Sequence, residues 1–101
     1  MFVSLTRVKT PQEPIASPEM VGEEMLRWLR EIAGFEGLLL LSRGGSTVGL
    51  TFWESREVAE QHLAARMEFL QRMMSIAEVE IEEVLDYDVT FAHLGALQIG
   101  E

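Results

Sequence analysis

Residues Gly34 to Leu63, GFEGLLLLSRGGSTVGLTFWESREVAEQHL, decide the fold: two apolar runs flank a Gly-Gly turn, and a capped helix start follows. Phe35 and Leu38 to Leu41 make an apolar block bounded by glycines, too short for a helix and of typical length for a buried strand. Arg43, Gly44, Gly45 and Ser46 tolerate the positive φ that a tight hairpin needs. The chain then returns from Thr47 to Glu54, with Val48, Leu50 and Phe52 on one face and Thr47, Gly49, Thr51 and Trp53 on the other. Ser55 is placed to cap the next helix through its hydroxyl, and Glu57 sits at the positive end of that helix dipole.

Working outward, Phe2 to Val8 alternates as a strand, with Val3 and Leu5 on one face and Phe2, Ser4, Thr6 and Val8 on the other. A linker with Pro11, Pro14 and Pro18 cannot lie inside a ladder or a helix. Ser17 and Pro18 mark a helix start, and Val21, Met25, Leu29 and Ile32 recur at helical spacing until Gly34 provides a left-handed stop. The spacing predicts one second helix from Arg56 to about Met74, with Val58, His62, Ala65, Phe69 and Met73 on one stripe and Ala59, Leu63, Met67, Leu70 and Met74 beside it. Val79 to Phe91 reads as a long last strand. Val79, Ile81, Leu85, Tyr87, Val89 and Phe91 share one face there, Glu80, Glu82, Asp86 and Asp88 the other, and Glu83 interrupts the apolar face, which calls for a bulge or bend near Glu82 to Val84.

The element order βαββαβ predicts an α+β, ferredoxin-like domain over residues 1–92, with a four-stranded antiparallel sheet and both helices on one face, followed by a tail at 93–101. Both faces of the central hairpin carry large apolar groups, more than a solvated face normally shows. The expected cover is a second copy packed sheet to sheet by two-fold symmetry.

Composition narrows the function classes. At 101 residues the chain makes one domain, and the absence of cysteine removes disulfides, cysteine-ligated metals and thiol catalysis, in keeping with a cytoplasmic protein. No apolar stretch approaches the roughly 20 residues of a membrane span, and no export core is visible. A formal charge of −9 repels phosphates and argues against nucleic acid. No phosphate-binding glycine motif, zinc pattern or Ser-His-Asp spacing is present, so neither cofactor nor metal is expected.

At Trp53-Glu54-Ser55, followed by Ala59 and His62-Leu63 and preceded by Gly34-Phe35-Glu36-Gly37 and the hairpin, the chain resembles the antibiotic biosynthesis monooxygenase-like domains of the dimeric α/β barrel superfamily. The likeness spans about Val3 to Phe91. It implies a homodimer whose two sheets form a barrel, with a pocket between helices and sheet in each subunit. Relatives include cofactor-free oxygenases of phenols or quinols and haem-degrading enzymes. This chain departs from both. It contains no asparagine, the residue on which oxygenases and haem degraders of the group commonly depend, and Gln71 and Arg72 occupy the neighbourhood of the haem-ligating histidine.

Six residues are candidates for a site. His62 is an imidazole on the apolar stripe, suited to acid or base work near neutral pH and equally to packing. Trp53 offers a flat wall to an aromatic ligand, or core, and Tyr87 a phenolic hydrogen bond, or a packed ring with its oxygen in water. Ser4 and Thr6, on a central strand, are hydrogen bonders that stand in for the missing amide if their face looks into the pocket. Arg72 can neutralise a carboxylate or enolate, or favour the negative end of its helix. The acidic residues of the last strand read as a solvated face rather than a cation site. Two readings result: a dimeric domain that binds a small apolar or aromatic molecule, or a cofactor-independent monooxygenase of a phenol or quinol with His62 as base.

Overall fold

The computed structural model describes residues 1–10 and 18–95. Its elements are β1 (Phe2–Lys9), α1 (Pro18–Leu29), β2 (Phe35–Arg43), β3 (Ser46–Trp53), α2 (Arg56–Gln61), α3 (Leu63–Ala77) and β4 (Glu80–Asp88). The strands form one antiparallel sheet in the order β2-β3-β1-β4, with the helices on one face, which is the α+β ferredoxin-like arrangement.

The hairpin forms as its glycines require, with Gly44 at φ 58° and Arg43 paired to Ser46 across the turn. Thr10 extends the grip on it by donating its amide to the Gly45 carbonyl at 2.8 Å. Pro18 opens α1 as expected, whereas Ser17 lies outside the described residues. The helix stops at Leu29, earlier than the apolar spacing suggests. Glu31 and Ile32 donate to carbonyls three residues back, a tightened turn that ends at Gly34 with φ 89°. Only glycine suits this place. A methyl group at position 34 would collide with the Val58 side chain as well as strain the backbone.

The structure corrects three expectations. The second helix is not continuous: the backbone of His62 (φ −104°, ψ 20°) leaves the helical region and divides it into α2 and α3. Ser55 caps α2, its hydroxyl accepting the Val58 amide at 3.2 Å. Across the junction the buried face is Ala59, Arg66, Phe69 and Met73, and backbone bonds from His62 to Val58 and from Arg66 to His62 carry the turn through it. α3 runs on to Ala77, and Glu78 closes it in the left-handed conformation that glycine usually supplies.

The last strand is also shorter than its alternation indicates, ending at Asp88, and Phe91 beyond it is 87% exposed. The expected bulge is present. Arg7 pairs with Glu83 but Val8 pairs with Ile81, leaving Glu82 as the extra residue. That residue switches the parity of β4. Ile81 therefore shares the helix side with Val84, Asp86 and Asp88, and is separated from Leu85 and Tyr87, which lie on the outer side. Asp86 and Asp88 are thus not part of a solvated outer face. They meet Arg66 and Arg56.

The core lies at the Trp53 end of the sheet. Phe2, Leu29, Trp53, Ala59, Phe69 and Met73 are buried there, with Trp28 stacked on Phe69 at 5.0 Å and Phe35 edge-on to Trp53 at 5.8 Å. On the opposite face of the sheet nothing among the described residues covers Val3, Leu5, Leu39, Leu41, Val48, Leu50, Phe52, Leu85 and Tyr87, which share one side by register.

Candidate functional site: a chamber between sheet and helices

The strand period places Ser4, Thr6 and Val8 of β1 and Thr47, Gly49, Thr51 and Trp53 of β3 beneath the helices. These are mostly small side chains. They do not reach across to α1 and α3, and a cavity of about 400 Å³ remains between the layers, within the range of small-molecule sites. Val21, Met25 and Leu29 of α1, Phe69, Leu70 and Met73 of α3, and Leu40 of β2 supply its apolar walls. Gly44 and Gly45 stand at the exposed hairpin end, and Trp53, with 0% exposure, closes the other.

Gly49 forms part of the floor. It sits mid-strand in unbroken register between Thr6 and Leu40, where glycine weakens a ladder and marks close approach by a ligand or another chain. A methyl group there would meet Leu40 Cδ2 at 3.3 Å and no backbone atom closer than the Thr6 carbonyl at 3.9 Å. The space that the missing side chain leaves belongs to the cavity.

At the Trp53 end the polar groups form a chain. The indole Nε1 of Trp53 donates to Thr51 Oγ1 at 3.3 Å, and that hydroxyl donates to the Ser4 carbonyl at 3.5 Å. Arg66 stands over the Trp53 ring, its guanidinium carbon 5.4 Å from the centroid. It donates to the Ala59 carbonyl at 2.9 Å and reaches Asp86 at 3.5 Å. Among the described lining residues Arg66 is the only one that ionises.

The structure brings Trp53, Ser4 and Thr6 together in this cavity and leaves the other candidates outside its described lining. His62 is half-buried at the α2–α3 junction and makes no side-chain cap there. Tyr87 is exposed on the outer sheet face, and Arg72 is exposed and paired with Glu68 at 3.1 Å. Arg56, beyond the Trp53 end, is held above its ordinary pKa chiefly by its hydrogen bond to Asp88, and then by the charge of that carboxylate. Among the described residues no three metal-ligating side chains cluster. No described helix is long and apolar enough to cross a membrane.

Arg66 escapes the sequence pattern because it falls between two predicted apolar stripes. The available signal was its spacing of seven from both Ala59 and Met73, which puts a guanidinium in the middle of a buried helical face.

No protein-family model matches the chain, and no curated protein matches it in sequence. Solved structures do match in shape. SnoaB, a cofactor-independent oxygenase from Streptomyces nogalater, superposes with a TM-score of 0.66 at 14% identity, over 90% of this chain and 94% of that one. A monooxygenase from the gene ActVA-Orf6 of Streptomyces coelicolor, in complex with the ligand Nanaomycin D, gives 0.66 at 18% identity, over 94% and 92%. A protein from Deinococcus radiodurans assigned to the antibiotic biosynthesis monooxygenases gives 0.54 at 15%, over 97% and 100%. The chain has the antibiotic biosynthesis monooxygenase-like fold, as its Trp53-Glu54-Ser55 neighbourhood implied.

Proposed function

We propose that this chain is a small-molecule-binding domain related to cofactor-independent monooxygenases, with a ligand chamber in each subunit of a homodimer. The observation that carries the reading is the cavity of about 400 Å³ between sheet and helices, apolar in its walls and hydroxyl-lined on its floor. Such a chamber suits a small apolar or aromatic molecule whose rings meet Leu, Met and Phe side chains while Ser4, Thr6 and Thr51 orient its polar edge. Trp53, fully buried beneath the Arg66 guanidinium, closes the inner end as core. The dimer rests on the outer sheet face, where contiguous apolar residues on all four strands exceed what a monomer leaves in water.

The second reading, oxidation of a phenol or quinol by oxygen without a cofactor, is favoured by the likeness to SnoaB and to the ActVA-Orf6 monooxygenase. No His, Asp, Glu or Tyr occurs in the described lining to take a proton, so the substrate would have to arrive ionised. One pair of experiments tests both readings. A panel of quinols and polyphenols should raise the melting temperature of the purified protein, because a ligand bound by the folded state alone stabilises it. No shift with any compound sinks the binding reading. Oxygen uptake with the same panel tests turnover, and rates at the blank level remove the enzyme. His62→Ala should alter neither result.

A further inference from the structure

Resting on the binding reading above, we propose that the chamber takes its ligand as an anion: a flat aromatic compound carrying an ionised oxygen, selected by the buried guanidinium of Arg66.

The argument begins with the cost of burying that charge. Arg66 is 7% exposed, and an ion withdrawn from water needs compensation from close opposite charge and satisfied donors. What it has is incomplete. Ala59 offers a neutral carbonyl and Trp53 the face of its ring. Asp86 offers one carboxylate oxygen at 3.5 Å from a half-exposed side chain, where a good guanidinium–carboxylate contact runs at about 2.7–2.9 Å and is commonly two-pronged. A guanidinium carries five donors, and two have protein acceptors here.

A second polar group waits at the same end. The Ser4 hydroxyl is on a residue 4% exposed, lines the cavity, and makes no hydrogen bond among the described residues. Ser4 pairs across the ladder with Asp86, the residue that Arg66 touches, so hydroxyl and guanidinium face one region of the chamber. Two buried donor groups with unused capacity, and no acidic group in the described lining, form a receptor for an oxyanion. The Leu, Met and Phe walls suit an apolar body for the rest of the ligand, and the bare floor at Gly49 leaves room for a ring to lie against the sheet. The protein as a whole carries −9 and repels anions at long range, so this selection is local to Arg66.

The probes are 4-nitrophenol with its neutral methyl ether, and 4-nitrobenzoate with its neutral amide, titrated against the 101-residue chain. Each anion should bind at least about tenfold more tightly than its neutral partner, and the apparent pKa of bound nitrophenol should fall by about one unit or more, as an adjacent opposite charge dictates. Whichever pair shows the larger ratio tells whether the anion is a phenolate or a carboxylate. Arg66→Gln should bring each pair to equal affinity and erase the pKa fall. Arg66 also ties down Ala59, so Asp86→Asn at the exposed strand provides an independent arm. It should tighten the anions about threefold and leave the neutral compounds unchanged, by freeing Arg66 from its competitor. Equal affinities within each pair in the native protein, an unshifted nitrophenol pKa, or no response to Asp86→Asn would overturn the charge selection while leaving a binding chamber. Failure of all four probes to bind would overturn the binding reading together with it.

Discussion

The two faces of the sheet invert the usual arrangement. In a two-layer α/β domain the face beneath the helices is greasy and the far face is wet. Here the covered face of β1 and β3 carries Ser4, Thr6, Thr47, Gly49 and Thr51, whereas the uncovered face carries Val3, Leu5, Val48, Leu50 and Phe52. A covered face of small and hydroxylic residues is poor core but a good chamber wall. An uncovered face of branched and aromatic residues is poor surface but a good interface. Under the proposed dimer the two anomalies are one design, in which the sheet meets a second copy on one side and stands clear of its own helices on the other.

Where the inner face is true core, at its Trp53 end, disruption should cost most. Trp53→Ala should lower unfolding free energy by about 3–5 kcal/mol in denaturant titration, since a fully buried large ring is lost. On the outer face the effect should fall on assembly. Leu50→Asp, in mid-strand, should weaken dimerisation on the order of a hundredfold in sedimentation velocity. A native protein that sediments as a folded monomer at micromolar concentration would erase the contrast between the faces. Gly34→Ala touches neither face but strikes the seam where β2 meets α2, and should cost about 2 kcal/mol from backbone strain and the Val58 collision. Gly49→Val is the sharpest test of the inner face. A chamber floor, unlike a core position, should accept the larger residue within about 1 kcal/mol in stability while losing ligand-induced shifts in melting temperature.

Much of the fold was legible in the sequence because its signals are local. The hairpin follows from Gly44-Gly45, the alternation of β1 and β3 from their period, and the bulge in β4 from the misplaced Glu83. The break at His62 was not legible. Gln61, His62 and Leu63 include no glycine or proline, so no local breaker marks the place. Arg66 was hidden for a different reason, its place between the two apolar stripes of that helical segment. Of the site, Trp53, Ser4 and Thr6 were accessible as residues, but the choice of face was not. A polar strand face normally points to water, and only the assembled layers show it turned beneath the helices.

The extra residue in β4 carries a further consequence. An uninterrupted ladder would send Leu85 and Tyr87 under the helices and expel Asp86 and Asp88 onto the apolar outer face. With Glu82 looped out of phase, the same nine-residue strand delivers carboxylates to Arg56 and Arg66 on one side and an apolar margin on the other. Excising that single glutamate would leave Ile81 and Glu83 consecutive in one ladder with every side chain on its present side, whereas drawing it into the ladder would plant acid in the middle of a hydrophobic seam and strand two guanidiniums with nothing to answer them.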